Sequence, residues 1–139
     1  MFSNVLVICI GNICRSPMAE ALLRQRVLAA DVQIASAGTH AMLDSPIDPL
    51  AQAVLQMHQV PTLRHRARQM DRDMLHQAEL ILLMENAQLK SVLRLAPEVR
   101  GKTFLIGKWQ QQMEIADPYR QPKLAFEQTY EHLSRCVDD

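Results

Sequence analysis

The sequence predicts an α/β fold, a parallel sheet covered on both faces by helices in a three-layer αβα arrangement. Apolar runs such as Val5–Ile8 and Leu80–Met84 are nearly continuous rather than alternating, as befits strands buried on both faces. Segments with helical periodicity or helix-capping residues separate these runs, so β and α units alternate along the chain. Right-handed crossovers then place a ligand site at the carboxyl ends of the strands, at a topological switch point.

Each element has its own local warrant. Val5 to Ile8 reads as the first strand, and Ser16-Pro17 is a helix-start signal with proline at the first helical position. The helix expected over Pro17–Leu28 puts Met18, Ala21, Leu22 and Leu28 on an apolar face, with Glu20, Arg24 and Arg26 elsewhere. Asp31 to Ala37 reads as the second strand, ended by Gly38, and Thr39 to Ile47 as a loop. Asp48-Pro49 opens a helix as cap and first residue, and Pro61 forbids its continuation much past His58. Asp71 caps a short helix through Gln77. The third strand spans Leu80–Met84, and a helix capped by Asn86 follows to about Leu95. Pro97 and Gly101 punctuate the chain before a fourth strand, Thr103–Ile106. A loop from Gly107 to Gln121 holds Trp109, which reads as a hydrophobic plug. The last helix starts at Pro122 and shows Phe126, Thr129, Leu133 and Val137 on one face; its tail, Asp138-Asp139, is expected to fray.

With 139 residues, 48% of them hydrophobic, the chain is expected to be one domain over residues 1–139, able to bury a core without metal or disulfide staples. Fifteen basic residues balance fifteen acidic ones, so no global field points to nucleic acid. A local run, Arg64, Arg66 and Arg68, reads as a solvated arm beside a helix. Three cysteines do not make a secreted disulfide scaffold. No signal peptide precedes the first strand and no apolar run approaches the roughly 20 residues of a membrane span, so a soluble, cytoplasmic protein without membrane insertion is expected. The five histidines lack ligand spacing, and neither a metal site nor a cofactor is expected.

The chemistry concentrates where the first strand runs into its helix. A strand–loop–helix aims backbone N–H groups and the positive end of a helix dipole at one point, an anion site. The loop Ile10, Gly11, Asn12, Ile13, Cys14, up to Ser16, is expected to cradle phosphate, with Gly11 allowing close approach and unusual φ, and Asn12 tolerating the left-handed conformation. Cys9 opens this loop and Arg15 closes it. A helix N-terminus and an arginine lower a thiol pKa to roughly 3.5–7.5, and the Ser16 hydroxyl is placed to hydrogen-bond the thiolate. Cys9 then reads as a nucleophile for phosphorus and Arg15 as a planar fork for two phosphate oxygens. The leaving oxygen needs an acid from another loop over the same strand ends. Asp117 fits best, its backbone restrained by Pro118, and Tyr119 could stack on an aromatic substrate. Glu85 is an alternative acid without such restraint. Cys14 is either loop packing or a partner for a reversible disulfide with Cys9; Cys136 reads as structural. Four loops are expected around Cys9: Cys9–Ser16, Gly38–Ile47, Met84–Asn86 and Gly107–Tyr119.

These residues resemble the low-molecular-weight protein-tyrosine phosphatase family. Its C-x-G-N-x-C-R-S-P signature is matched by Cys9, Gly11, Asn12, Cys14, Arg15, Ser16 and Pro17, and its Asp-Pro-Tyr signature by Asp117, Pro118 and Tyr119. Ser36-Ala37-Gly38-Thr39, His65-x-Ala67-Arg68-Gln69 and Met84-Glu85 also fit, so the resemblance covers essentially the whole chain. It implies a four-stranded sheet in the order 2-1-3-4, with Cys9 as nucleophile, Arg15 as transition-state binder, and Asp117 as acid then base. It also implies a network under the loop through Asn12, Ser16, Ser36 and His65, a redox-protective role for Cys14, and Tyr119 as a wall of the phosphotyrosine slot. Where many members carry a second aromatic after that tyrosine, this chain has Arg120. The segments Ala96–Lys102 and Glu114–Arg120 are similar to bacterial members tied to exopolysaccharide or capsule export. That similarity implies a phosphotyrosine protein as substrate, specifically an autophosphorylating bacterial tyrosine kinase, with inorganic phosphate as product. A thiol-coupled arsenate reductase on the same fold needs further cysteines after the third strand, and Met84–Leu95 has none. A binding module without catalysis would need neither Cys9 nor Asp117.

Overall fold

The computed structural model describes residues 3–27, 32–61 and 64–138. The expected positions Leu28, Asp31 and Asp139 lie outside the described residues. Four parallel strands, β1 (Asn4–Cys9), β2 (Gln33–Gly38), β3 (Leu80–Leu83) and β4 (Thr103–Leu105), form one sheet in the order β2-β1-β3-β4. The chain leaves β1 toward β2, then returns across it to β3. Strand order therefore reverses at the carboxyl end of β1, where Cys9 stands opposite Gly38.

Residues of β1 alternate between two cores, as the period of a strand demands. Val5, Val7 and Cys9 face one core with α1 (Arg15–Arg26), α2 (Pro49–Met57) and α5 (Lys123–Asp138). Leu6 and Ile8 face the other, with α3 (Arg72–Gln77), α4 (Ala87–Leu95) and the 3₁₀ turn Pro97–Lys102. Cys9 is thus placed on the α1 side by the alternation of its own strand.

Helix starts follow local chemistry where the cap lies next to the helix. Asp48 Oδ1 accepts from Leu50 N at 2.9 Å and Asp71 Oδ1 from Met74 N at 2.8 Å. Asn86 does not act as the expected cap. It is already helical (φ −60°, ψ −30°) and makes no capping side-chain bond. Gln88 Oε1 instead accepts from Met84 N and Glu85 N, and Glu114 Oε1 from Asn86 N. Helix α1 begins at Arg15 rather than Pro17. Proline is accommodated inside the first turn because its missing N–H has no intrahelical partner there. On α5, Tyr130 and Cys136 join Phe126, Thr129 and Leu133 in the buried face, whereas Val137 is only half-buried. Trp109 is not a plug. Its side chain is 60% exposed, with Lys108 Nζ 5.2 Å from its ring.

Of the two glycines nearest the site, Gly38 ends β2 as expected, as its last paired residue, and glycine is required there because a Cβ would stand 2.3 Å from the Ile10 carbonyl oxygen. Gly11 has no positive φ, and a Cβ on it would meet only Met42 and Ile13 side chains at 3.7–3.8 Å. Gly38→Ala is therefore expected to destabilise the protein by at least about 2 kcal/mol through backbone overpacking. Gly11→Ala should change stability by less than about 0.5 kcal/mol. Urea midpoints of the two variants check both.

Candidate active site

The unusual backbone conformation falls on Asn12, at φ 59°, where asparagine is the residue that tolerates it best after glycine. This turn brings the Asn12 N–H to within 3.3 Å of Cys9 Sγ. The buried Asn12 side chain is fully engaged: Oδ1 accepts from Arg68 N at 2.9 Å, while Nδ2 donates to Ser16 Oγ at 2.7 Å and Ser36 Oγ at 2.9 Å. Its carbonyl oxygen accepts from His65 Nε2, which fixes a proton on that ring nitrogen.

The donor inventory gives this network a direction. The Ser36 hydroxyl proton goes to Glu20 Oε1 at 2.7 Å, so Ser36 can only accept from Asn12. Glu20 is buried and held in turn by Arg24 Nη2 at 2.9 Å. Ser16 likewise accepts from Asn12, which leaves its own proton for Cys9 Sγ, 2.9 Å away. Cys9 Sγ thus receives two hydrogen bonds, one from a backbone N–H and one from a hydroxyl.

Arg15 is 1% exposed. Its Nη1 donates to Glu85 Oε1 and to the Ile115 carbonyl at 2.7 Å, which fixes the guanidinium plane. Its Nη2 lies 3.8 Å from Asp117 Oδ2 and has no hydrogen-bond partner. A buried guanidinium donor left over beside a cysteine matches a phosphate oxygen. Glu85 therefore serves Arg15 and does not line the cavity that holds Cys9. Asp117 is the carboxylate at the cavity mouth, its Oδ1 accepting from Tyr119 N at 3.0 Å.

A cavity of about 160 Å³ joins these groups. Cys9, Cys14 and Arg15 lie in it with Ile10, Gly11 and Ile13, and Asp117 and Tyr119 close it from the last loop. Asn12 and Ser16 hold the loop from beneath and do not line the cavity; Ser36 and His65 reach it only through Asn12. His40 and Met42 also line the cavity and were legible only as members of the Gly38–Ile47 loop. Arg120 sits over the Tyr119 ring, 5.3 Å from its centroid. No cluster of metal ligands occurs among the described residues, and none of their helices is long and apolar enough to cross a membrane.

Cys14 shares the cavity in a different state. Burial pushes its thiol far above the ordinary value, and the charges of Asp48, Asp117 and Cys9 add to the effect. It is held as a neutral thiol. No disulfide joins the two.

A family model described as low molecular weight phosphotyrosine protein phosphatase matches residues 4–139. The chain belongs to that family. Among its relatives, the low molecular weight protein-tyrosine-phosphatase Etp of Escherichia coli strain K12 is 45% identical over 138 residues, covering 99% of this chain and 92% of the relative. The crystal structure of the Erwinia amylovora tyrosine phosphatase AmsI superposes with a TM-score of 0.94 at 43% identity, over 99% of this chain and 90% of that one. Vibrio vulnificus Wzb in complex with benzylphosphonate gives a TM-score of 0.94 at 37% identity, over 99% and 96%. The 2-1-3-4 sheet order implied by the sequence resemblance is the one observed.

Two outcomes follow from the site's chemistry. Asn12→Gly keeps the left-handed turn and Asn12→Ala does not, so the alanine variant should be less stable by about 1 kcal/mol. Both should lose kcat, because both abolish the side-chain network, and steady-state kinetics beside denaturant titration separates the two effects. Cys14 gives a pH signature. Its thiol titrates higher folded than unfolded, so stability is fully present below pH 9.0 and is lost as pH rises beyond it, by up to about 1.4 kcal/mol per pH unit. Denaturant titrations between pH 8 and 10 should show this slope in the wild type and its loss in Cys14→Ala.

Proposed function

We propose that Cys9, Arg15 and Asp117 carry out phosphotyrosine hydrolysis in two steps. The observation that carries the reading is the convergence of a thiol supplied with two donors, a buried guanidinium with an unpartnered Nη2, and a carboxyl group within one small cavity. In the first step the Cys9 thiolate attacks phosphorus, and the P–O bond breaks as Asp117 gives its proton to the phenolic oxygen. Arg15 and the loop N–H groups of Ile10–Ser16 hold the three equatorial oxygens, over which the charge of the transferring phosphoryl group is spread, in the geometry for in-line attack. In the second step Asp117, now ionised, takes a proton from water, the oxygen attacks the phosphocysteine, and the thiolate leaves with inorganic phosphate released. Both bonds are exchanged between these groups and water, without a cofactor.

Tyr119, Ile13 and Met42 supply aromatic and apolar walls suited to a phenyl ring. The cavity volume is well under the roughly 300–1,000 Å³ of drug-sized ligand sites, so it takes one aryl phosphate. The substrate is a phosphoprotein. Relatives named Wzb and Etp, together with the resemblance of Glu114–Arg120 to export-associated members, support an autophosphorylating tyrosine kinase of polysaccharide export as that phosphoprotein, and a cytoplasmic site of action.

The test is turnover of p-nitrophenyl phosphate and of a phosphotyrosine peptide without metal, in the presence of chelator. Cys9→Ser should show no turnover, and vanadate should inhibit the wild type. Asp117→Asn should lower kcat by about 10²–10⁴-fold while leaving phosphate affinity nearly intact. Activity that survives Cys9→Ser, or phosphate binding that collapses in Asp117→Asn, would overturn these assignments.

A further inference from the structure

The run Arg64, Arg66, Arg68 is exposed, as expected of a solvated arm, and it also walls a cleft. All three side chains, with Arg24, line one cleft of about 400 Å³ that also contains Glu20, Ser36 and His65. The cleft shares no lining residue with the active-site cavity. Its single carboxylate, Glu20, is occupied by Arg24 and Ser36. Arg64 and Arg66 make no hydrogen bond or ion pair with the described residues, and Arg68 spends only Nε, on the Ser36 carbonyl at 3.3 Å. Positive charges therefore outnumber the carboxylates of this cleft by three in a chain whose formal net charge is zero, and Asp44 is the acidic residue of the adjoining hollow that Arg64 and Arg66 also line.

The backbone behind these arginines is the clamp on the phosphate loop. Arg68 N donates to Asn12 Oδ1, His65 Nε2 donates to the Asn12 carbonyl, and Arg68 O accepts from Gly38 N at 2.9 Å. Ala67 exchanges backbone bonds with Asp44 and Ser45, at the end of the loop that carries His40 and Met42. The same few residues thus face a positive cleft with their guanidinium groups and hold Asn12 with His65 and the Arg68 amide. We propose that this cleft is a second anion site, which takes a linear polyphosphate group and raises turnover by firming the clamp on Asn12. Three or more guanidinium groups converging on one hollow suit several linked phosphates better than one, since each can be gripped by its own fork. An anion gripped by Arg64, Arg66 and Arg68 together ties these three positions to one another and so stiffens the segment whose His65 side chain and Arg68 amide hold Asn12.

The binding half stands independently of the phosphatase reading; the kinetic half rests on it. Inorganic tripolyphosphate is the probe, titrated calorimetrically into protein whose active site is saturated with vanadate. One-to-one binding is expected, weakening as salt rises and at least tenfold weaker in R64A/R66A. Both residues are exposed, and R64A/R66A should turn over p-nitrophenyl phosphate like the wild type when no tripolyphosphate is present. With tripolyphosphate, kcat at saturating substrate should rise at least about twofold in the wild type and stay constant in R64A/R66A. Competition at the active site would raise KM alone, and equally in both proteins. ATP in a parallel titration separates the sources: equal affinity supports an inorganic polyphosphate, tighter binding a nucleotide read through the same phosphates. Absence of heat with the vanadate-bound wild type, or unchanged affinity in R64A/R66A, would overturn the site. A kcat indifferent to bound tripolyphosphate would overturn the coupling. Failure of the phosphatase reading would appear separately, as no turnover in any sample.

Discussion

One residue, Asn12, ties the phosphate loop to the rest of the molecule. Its left-handed backbone turns the chain so that its own N–H reaches Cys9, and its side chain spends both donors and its acceptor on Ser16, Ser36 and Arg68. A left-handed residue costs about 1–2 kcal/mol, and a loop closing over an anion site has few apolar contacts to offset it. The polar network supplies that offset. It is buried and nearly complete, the condition under which such a network fixes one conformation instead of weakening the core. The same hydrogen bonds that hold the turn also decide which way the Ser16 proton points, so conformation and nucleophile are set by one device.

Arg15 poses the opposite problem, a charge almost wholly removed from water. Burying a lone guanidinium would cost several kcal/mol. Glu85, the Ile115 carbonyl and, more distantly, Asp117 surround it. Glu85 comes from the end of β3 and Ile115 from the loop after β4, so the sheet order that brings these ends beside β1 is what makes the arginine affordable. The ion pair with Glu85 has a further consequence. Much of the Arg15 charge is already neutralised, so a bound dianion must rely on the loop N–H groups and the α1 dipole as well as on the guanidinium.

Legibility in the sequence followed the range of the interaction. Cys9, Arg15, Asp117 and Tyr119 could be read because each stands in a short motif whose local geometry follows from adjacent proline, glycine or strand residues. The caps Asp48 and Asp71 could be read because a cap and its N–H are two or three residues apart. Asn86 does not cap because Gln88 N and Leu89 N are met by the carbonyls of Glu85 and Asn86, a tight backbone turn that its side chain does not signal. Glu20 lies off the apolar face of the first helix, and nothing nearby in sequence marks Ser36 as its donor; the backbone freedom expected of Gly11 is exercised by Asn12. The arginine run gave no sign of its second face because the bonds of His65 and Arg68 to Asn12 span more than fifty residues.

The two thiols in the cavity show how a site of this kind limits its own charge. A bound phosphate dianion beside the Cys9 thiolate gathers three negative charges over one guanidinium that Glu85 already shares. At about 4 Å, each like-charge pair costs roughly 4 kcal/mol at an effective dielectric of 20, so any further ionised group would oppose binding. Cys14, packed at the start of α1, would be such a group if it ionised. Burial keeps it neutral. Asp117 meets the same constraint in another way. In the proposed mechanism it gives its proton as the P–O bond breaks, so its own negative charge forms only while the aryl group leaves. Half-exposed at the mouth, it can exchange protons with water, whereas an acid as deeply buried as Arg15 could not. A rim position therefore suits the acid role proposed for Asp117 better than a buried one.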